Sequence, residues 1–254
     1  DLSGSFHVHH NQTLTLGAGK AVSSRPFMFP WAMIVDEGAT LNLDPVLFIT
    51  RTAISPSLYL AGKLTGGEKV TVGQDASVVI AKSGVIGTHS NTPGKYSFLS
   101  LKVSSGGRIT IEVDEDANAP VELKSLSVDV AFGGVIIGRY LRVDASLLNI
   151  AFSGTLQANG LGNPAGVGPG AGSSSLLTGG GYGGCGGGNT NETCVVYGSL
   201  FEATEFGSGG GTTQVPDGIF GSGGGIIEVE AQVLIVDGTI SSNGESGRDR
   251  ESVV

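Results

Sequence analysis

The sequence is poor in charge, in cysteine, in aromatic side chains and in helical patterning. Charged residues make up 15% of its 254 residues, well below the usual share of about a quarter. Asp and Glu number 23 against 14 Lys and Arg, for a net charge of −9. The basic residues are scattered with no stripe among them, which argues against a nucleic-acid partner. The longest nearly apolar run is Val128 to Gly138, interrupted by Asp129, and it is too short to span a bilayer. Asp1 to Ser5 lacks the basic and apolar regions of a signal peptide, as expected of a processed N-terminus or of an excised piece. No sustained i, i+3, i+4, i+7 apolar pattern is bracketed by caps, so helices are not expected.

What is present is glycine and β-branched apolar sequence. Hydrophobic residues reach 39%, and Gly is 44 of 254, over double the usual share of about 7%. Val, Ile and Leu come in strand-length runs, so the chain can bury a core. Short runs such as 32–35, 46–50, 69–72, 77–80, 108–113, 121–130, 147–150 and 233–236 are predicted strands, punctuated by Gly, Asn, Asp and Ser.

An internal echo organises these strands. LRVDASLLNIAFSGTLQANGLG (141–162) and IEVEAQVLIVDGTISSNGESG (227–247) share one plan. Each has an apolar strand, a polar corner, a second apolar strand and a closing Asn-Gly, at Asn159-Gly160 and Asn243-Gly244. Looser echoes lie at 33–45 and 70–91. A unit of this size, which cannot bury its inward row alone, is the length of one coil of a parallel β-helix. Asn and Gly tolerate the positive φ that a sharp corner needs. Asn-Gly also suits a two-residue hairpin, so an antiparallel β-sandwich or jelly roll is the alternative. The expected organisation is a single all-β solenoid domain over 1–254, with a long Gly-rich ordered insertion at about 160–225.

That insertion has 24 glycines in its 66 residues. It is not read as a linker, because YGSLFEATEFGSGGG (197–211) carries Tyr197, Leu200, Phe201 and Phe206, and flexible Gly/Ser linkers lack aromatics at that density. Nor is it a phosphate cradle: no Gly-Lys-Ser/Thr occurs, and Gly19-Lys20 is followed by Ala21. It is expected to be a close-fitting wrap in which glycine lets backbone approach backbone and the aromatics pin it. Its Cys185 and Cys194 would close a small disulfide loop in an oxidising compartment. Sequons stand at Asn11 and Asn191, the second inside that loop.

The order GGGYGGCGGG, YGSLFEATEFGSGGG and GGGIIEVEAQVLIVDGTISSNGESG resembles glycine-rich repeats in large extracellular proteins of algae, oomycetes, other protists and plants. The resemblance covers about residues 141–247. It implies a pectin-lyase-like β-solenoid in a secreted or cell-surface protein, including fibre components of the flagellar-hair type, and no particular chemistry. Family members are usually much longer.

Sites of chemistry are sparse. His7 and His9 of FHVHHNQT would share one strand face, with His10 beside them, but no third metal ligand is placed by the sequence. Glu112, Asp114 and Asp116 in IEVDEDANAP are weak Ca²⁺ candidates without the spacing of a known calcium loop; no other cofactor is expected. Polysaccharide cleavage would need paired carboxylates on one outward face. Asp44, Asp129, Asp144 and Asp237 are the available members, with Arg139 and Arg142 as the nearest bases. Phe27, Phe29 and Trp31 in RPFMFPWAM make an odd strand broken by Pro30, a candidate cap for the core or an interface. The expected function is a non-enzymatic extracellular glycoprotein that self-associates into a filament or matrix, with glycans as further partners. The alternative is a polysaccharide-binding or polysaccharide-cleaving β-helix.

Overall fold

The computed structural model of the chain describes residues 5–8, 12–15, 27–29, 32–42, 46–52, 55–65, 68–86, 92–113, 118–174, 178–187, 195–199, 201–211 and 221–246. Among these there is no helix, and the regular structure is entirely β. Among the described residues no helix is long and apolar enough to cross a membrane.

The strands come in successive circuits. The first is β1 (Ser5–Val8), β2 (Thr13–Thr15) and β3 (Phe27–Phe29). The second is β4 (Ala32–Val35), β5 (Thr40–Asn42) and β6 (Val46–Ile49). The third is β7 (Leu58–Leu60), β8 (Lys63–Thr65) and β9 (Lys69–Val72), and the fourth β10 (Ser77–Ile80), β11 (Val85–Ile86) and β12 (Lys95–Val103). Three two-strand circuits follow: β13 (Arg108–Ile111) with β14 (Val121–Val130), β15 (Val135–Gly138) with β16 (Tyr140–Ile150), and β17 (Thr155–Gln157) with β18 (Ile226–Val236). β19 (Thr239–Ser241) is last.

Each circuit adds one strand to each sheet it visits. An eight-stranded sheet runs β1-β4-β7-β10-β13-β15-β17-β19, a four-stranded one β11-β8-β5-β2, and a seven-stranded one β18-β16-β14-β12-β9-β6-β3. Every described register is parallel. The antiparallel sandwich or jelly roll is thereby set aside: its hairpins would place sequence neighbours side by side, whereas here neighbours are a whole circuit apart. Ser77, for instance, stands beside Arg108.

The period-2 pattern of the strands builds the core, because alternate side chains point inward and meet their equivalents from the next circuit. Leu47, Val70, Leu101, Val128 and Leu148 follow one another across the seven-stranded sheet in register, at 0–3% exposure. Val35, Leu60, Ile80 and Ile111 do the same across the eight-stranded sheet. Each such side chain contributes about 1.5–3 kcal/mol by leaving water. No circuit could bury these rows alone.

Between circuits the chain makes the same tight turn repeatedly. Ala76 N–H donates to Gly73 O, Gly107 to Ser104, Gly134 to Ala131 and Gly154 to Ala151. The third residue of each turn has positive φ: +67° at Gly106 and +65° at Gly133, with Asp75 at +53° and Ser153 at +62° taking the same conformation. Glycine adopts it without strain; the other two cost about 1–3 kcal/mol each and keep the conformation because the stacked turns around them hold it.

Contacts divide the chain into two compact units: Asp1–Leu156 with Val229–Ile240, and Gln157–Glu228 with Ser241–Val254. The predicted insertion, 160–225, falls in the second. Most predicted strands are present. The short β8 and β11 were not among the predicted strands, since two or three residues carry little alternation to register as a pattern.

Candidate functional site

Within the first unit, the last strand of the seven-stranded sheet differs from those before it. β16 buries alternate positions on either side of a single slip at Ser146 and Leu147. β18 repeats its apolar sequence, yet Val233, Leu234, Ile235 and Val236 are 42–51% exposed, and Ile240 of β19 is 38% exposed. The cause is topological. β18 and β19 are the terminal strands of their sheets, so nothing among the described residues completes the next layer. A strand so placed also presents a row of unpaired backbone N–H and C=O groups.

The outer face of that sheet is charged in rows. Lys95 pairs with Glu122 at 3.9 Å, Lys102 with Asp129 at 3.5 Å, Lys124 with Asp144 at 3.2 Å and Arg142 with Glu230 at 4.0 Å. Asn149 Nδ2 also donates to Asp129 Oδ1 at 2.8 Å. Each ion pair joins one strand to the next. Being exposed, each is worth only about 0–1 kcal/mol, so their main effect is on register. The pairs end on Glu230, the outermost carboxylate of the series, whose side chain is 76% exposed.

The long strands β12, β14 and β16 bend where their pairing skips one residue each, at Leu99, Leu126 and Ser146. The bend forms an open groove of about 430 Å³ lined by these residues with Lys124, Asp144 and Glu230. Leu99 and Leu126 are exposed there. A second exposed feature sits on the tight turns, where Phe132 and Phe152 stack at 6.1 Å between ring centroids with 27° between planes.

The second unit is packed by backbone. Gly162 N–H donates to Gly223 O, Gly223 N–H to Asn163 O, Asn163 N–H to Gly207 O, and Gly207 N–H to Gly224 O. These segments are neither helix nor ladder strand; they lie so close that a Cβ at Gly223 or Gly209 would overlap the backbone of Gly207 or Pro164. Close approach of this kind selects glycine on space alone, as in the crowded axis of collagen.

Half-buried aromatics join segments of this unit. Tyr197 and Tyr182 meet edge to face at 5.0 Å and 76°. Tyr197 Oη donates to Phe206 O at 2.6 Å and lies 2.7 Å from Ser208 Oγ. A carbonyl cannot donate, so the single phenolic proton goes to Phe206 and Ser208 donates to Tyr197. Ser208 Oγ in turn accepts Gly170 N–H at 2.9 Å. Burial pushes the Tyr197 phenol above its ordinary pKa, against the Ser208 hydrogen bond, with Tyr182 and Glu205 adding to the rise. In the first unit burial likewise raises Tyr96, whose hydroxyl donates to Gly84 O. Phe206 is buried, but Phe201 is 94% exposed and pins nothing among the described residues, contrary to the expectation for 197–211.

The remaining candidates are dispersed. Asn159-Gly160 and Asn243-Gly244 are brought together: Asn243 N–H donates to Asn159 Oδ1 at 2.7 Å, and Gly160 N–H to Asn243 O at 2.9 Å. Phe27 and Phe29 lie on β3, beside Leu47 and Ile49 of β6, at the terminal edge of the sheet. His7 lies on β1. Cys185 is exposed, and no free cysteine occurs among the described residues. Glu112 is exposed just past β13. Asn11, Trp31, Asp44, Asp114, Asp116, Asn191, Cys194, Leu200, His9 and His10 lie outside the described residues. Among the described residues no three His, Cys, Asp or Glu converge. Of the residues considered for polysaccharide cleavage, Asp129 and Asp144 are held by lysines, Asp237 is exposed, Arg139 is buried and Arg142 pairs with Glu230. The exposed end strand and the groove are the features the sequence did not locate; the apolar run VLIV in the last echo was the one signal for the strand, and the groove had none.

Comparison with protein-family models, curated proteins and solved structures finds no match to this chain.

Proposed function

We propose that this chain is an extracellular structural protein built on a parallel β-helix, and that it self-associates into a fibre or surface assembly. The observation that carries the reading is the uncovered apolar row of β18 and β19 at the terminal edge of two parallel sheets. A parallel edge accepts a further parallel strand, and the opposite edge, headed by β1 and β3, offers one. Such a contact is heterologous and propagates. Charge supports the same pairing: the end strands 226–241 carry Glu228, Glu230 and Asp237 and no base, while residues 1–35 carry Lys20, Arg25 and three histidines against the single acid Asp1. The low charge of the chain and the predicted Cys185–Cys194 loop around Asn191 favour a secreted, glycosylated setting.

The test is the oligomeric state of the purified chain by sedimentation and electron microscopy. Polymers that are lost in a Leu234→Lys, Val236→Lys double variant are expected, since these positions continue the inward row of Leu148 and Ile150. A wild-type chain that stays monomeric at high concentration would sink the reading.

A second reading, binding of an extended glycan, rests on the groove beside Leu126, Lys124, Asp144 and Glu230. A glycan array with wild type and Leu126→Asp separates it from the first, since that residue lies away from the end strands' apolar row.

A further inference from the structure

The sequence contains two Asn-Gly pairs, 159–160 and 243–244, and the fold places one against the other in unequal environments. Asn159 and Gly160 are half-buried, and both reactive groups are engaged: the Asn159 Oδ1 accepts Asn243 N–H, and Gly160 N–H donates to Asn243 O. Asn243 and Gly244 are exposed. Neither the Asn243 side-chain amide nor Gly244 N–H has a hydrogen-bond partner among the described residues.

We propose that Asn243 is a site of spontaneous deamidation and backbone isomerisation, and that the fold protects Asn159 from the same reaction. The chemistry needs only water. Gly244 N loses its proton and attacks Asn243 Cγ, forming a C–N bond. The Cγ–Nδ2 bond breaks and ammonia leaves, having taken up that proton. Water then opens the resulting succinimide at one of its two carbonyls, giving aspartate or isoaspartate. Glycine at the following position leaves the attacking nitrogen without a neighbouring Cβ. At Asn159 the same attack requires Gly160 N–H to leave Asn243 O and the Asn159 carboxamide to leave Asn243 N–H. Breaking two hydrogen bonds of ordinary net strength slows the step by more than about ten-fold.

The product alters its surroundings. Segment 241–245 is held to the rest of its unit by Ala158 N–H to Ser241 O, Asn243 N–H to Asn159 Oδ1, Gly160 N–H to Asn243 O and Glu245 N–H to Ser222 O. Isoaspartate routes the backbone from Asn243 Cα to Gly244 N through one extra carbon and turns the Asn243 carbonyl into a free carboxylate, so the peptide carbonyl that accepts Gly160 N–H is no longer fixed in the chain. That carboxylate is a new charge beside Glu245.

The experiment uses the full chain held in warm, mildly alkaline buffer, with peptide mapping for succinimide, aspartate and isoaspartate at both positions. In the folded protein Asn243 is expected to convert more than about ten-fold faster than Asn159. In denaturant the two rates should converge. Gly244→Ala should slow conversion at 243 and leave 159 unchanged, and the aged wild type should show faster amide exchange at Gly160. Equal rates in the folded chain, or Asn159 converting first, would overturn the proposal. Should Gly244→Ala fail to fold, the folded-against-denatured ratio in the wild type decides the matter alone.

Discussion

Replacing Tyr197 by Phe tests whether the glycine-packed unit is held by one polar network. The ring stays, and with it the edge-to-face contact to Tyr182. The hydroxyl goes, and with it the donor to Phe206 O and the acceptor for Ser208 Oγ–H. Phe206 and Ser208 are each 7% exposed, so water does not readily replace the missing partner, and the cost is about 1–3 kcal/mol. Ser208→Ala removes the same Tyr197–Ser208 bond and also orphans Gly170 N–H. Because the shared bond can be lost only once, the double variant should cost less than the sum of the singles, with a coupling of about 1 kcal/mol. Amide exchange at Gly170 reads the local opening free energy directly, which matters in a chain of two units where a single unfolding transition cannot be assumed. Both single variants should speed that exchange. Additivity within about 0.3–0.5 kcal/mol would mean that Tyr197 and Ser208 act separately and would refute the network.

Other consequences follow from the packing. Leu148→Ala empties a fully buried inward position between neighbouring circuits and should cost about 2–5 kcal/mol in denaturant unfolding. Gly223→Ala places a methyl group into the Gly207 backbone; a loss of about 1–3 kcal/mol or more is expected, with exchange at Gly162 and Gly207 rising before exchange in the β-strands does. Alkali should weaken the fold through Tyr96 and Tyr197. The unfolded chain releases these phenolic protons near pH 10.0, whereas the folded chain holds them to higher pH. The folded state therefore binds more protons in that window, and stability is full below it and falls as pH rises through it. Tyrosinate absorbance against unfolding measures this, and a stability that rises across the window would contradict it.

Much of the architecture was legible because its signals are local and repeated. Runs such as Ser77–Ile80 and Arg108–Ile111 alternate strictly, and strands with that period bury one face wherever they pair. The echo of 141–162 in 227–247 pointed to a spatial match, and its members do meet: β16 lies beside β18, β17 beside β19, and Asn159 bonds to Asn243. The candidate site was far less legible. VLIV at 233–236 reads like any buried strand, as does the sequence of β16. Only the absence of a following strand among the described residues leaves it exposed. The groove was invisible for a similar reason, since Leu99, Leu126 and Ser146 lie at unrelated places in the sequence and align only through register.

By itself the sequence determined that this chain is all-β, that its strands are short and apolar on alternate positions, and that its glycine-rich quarter is composed for close backbone approach and not for a flexible linker. These follow from periodicity and from steric allowance, which are properties of neighbouring residues. Tertiary structure alone decided that the strands pair in parallel, that Tyr197 rather than Phe201 anchors the glycine-packed unit, and that two identical Asn-Gly pairs have different surroundings. The physical reason is that burial and hydrogen-bond partnership are relations between residues tens of positions apart, and a dipeptide carries no record of which distant backbone will lie against it.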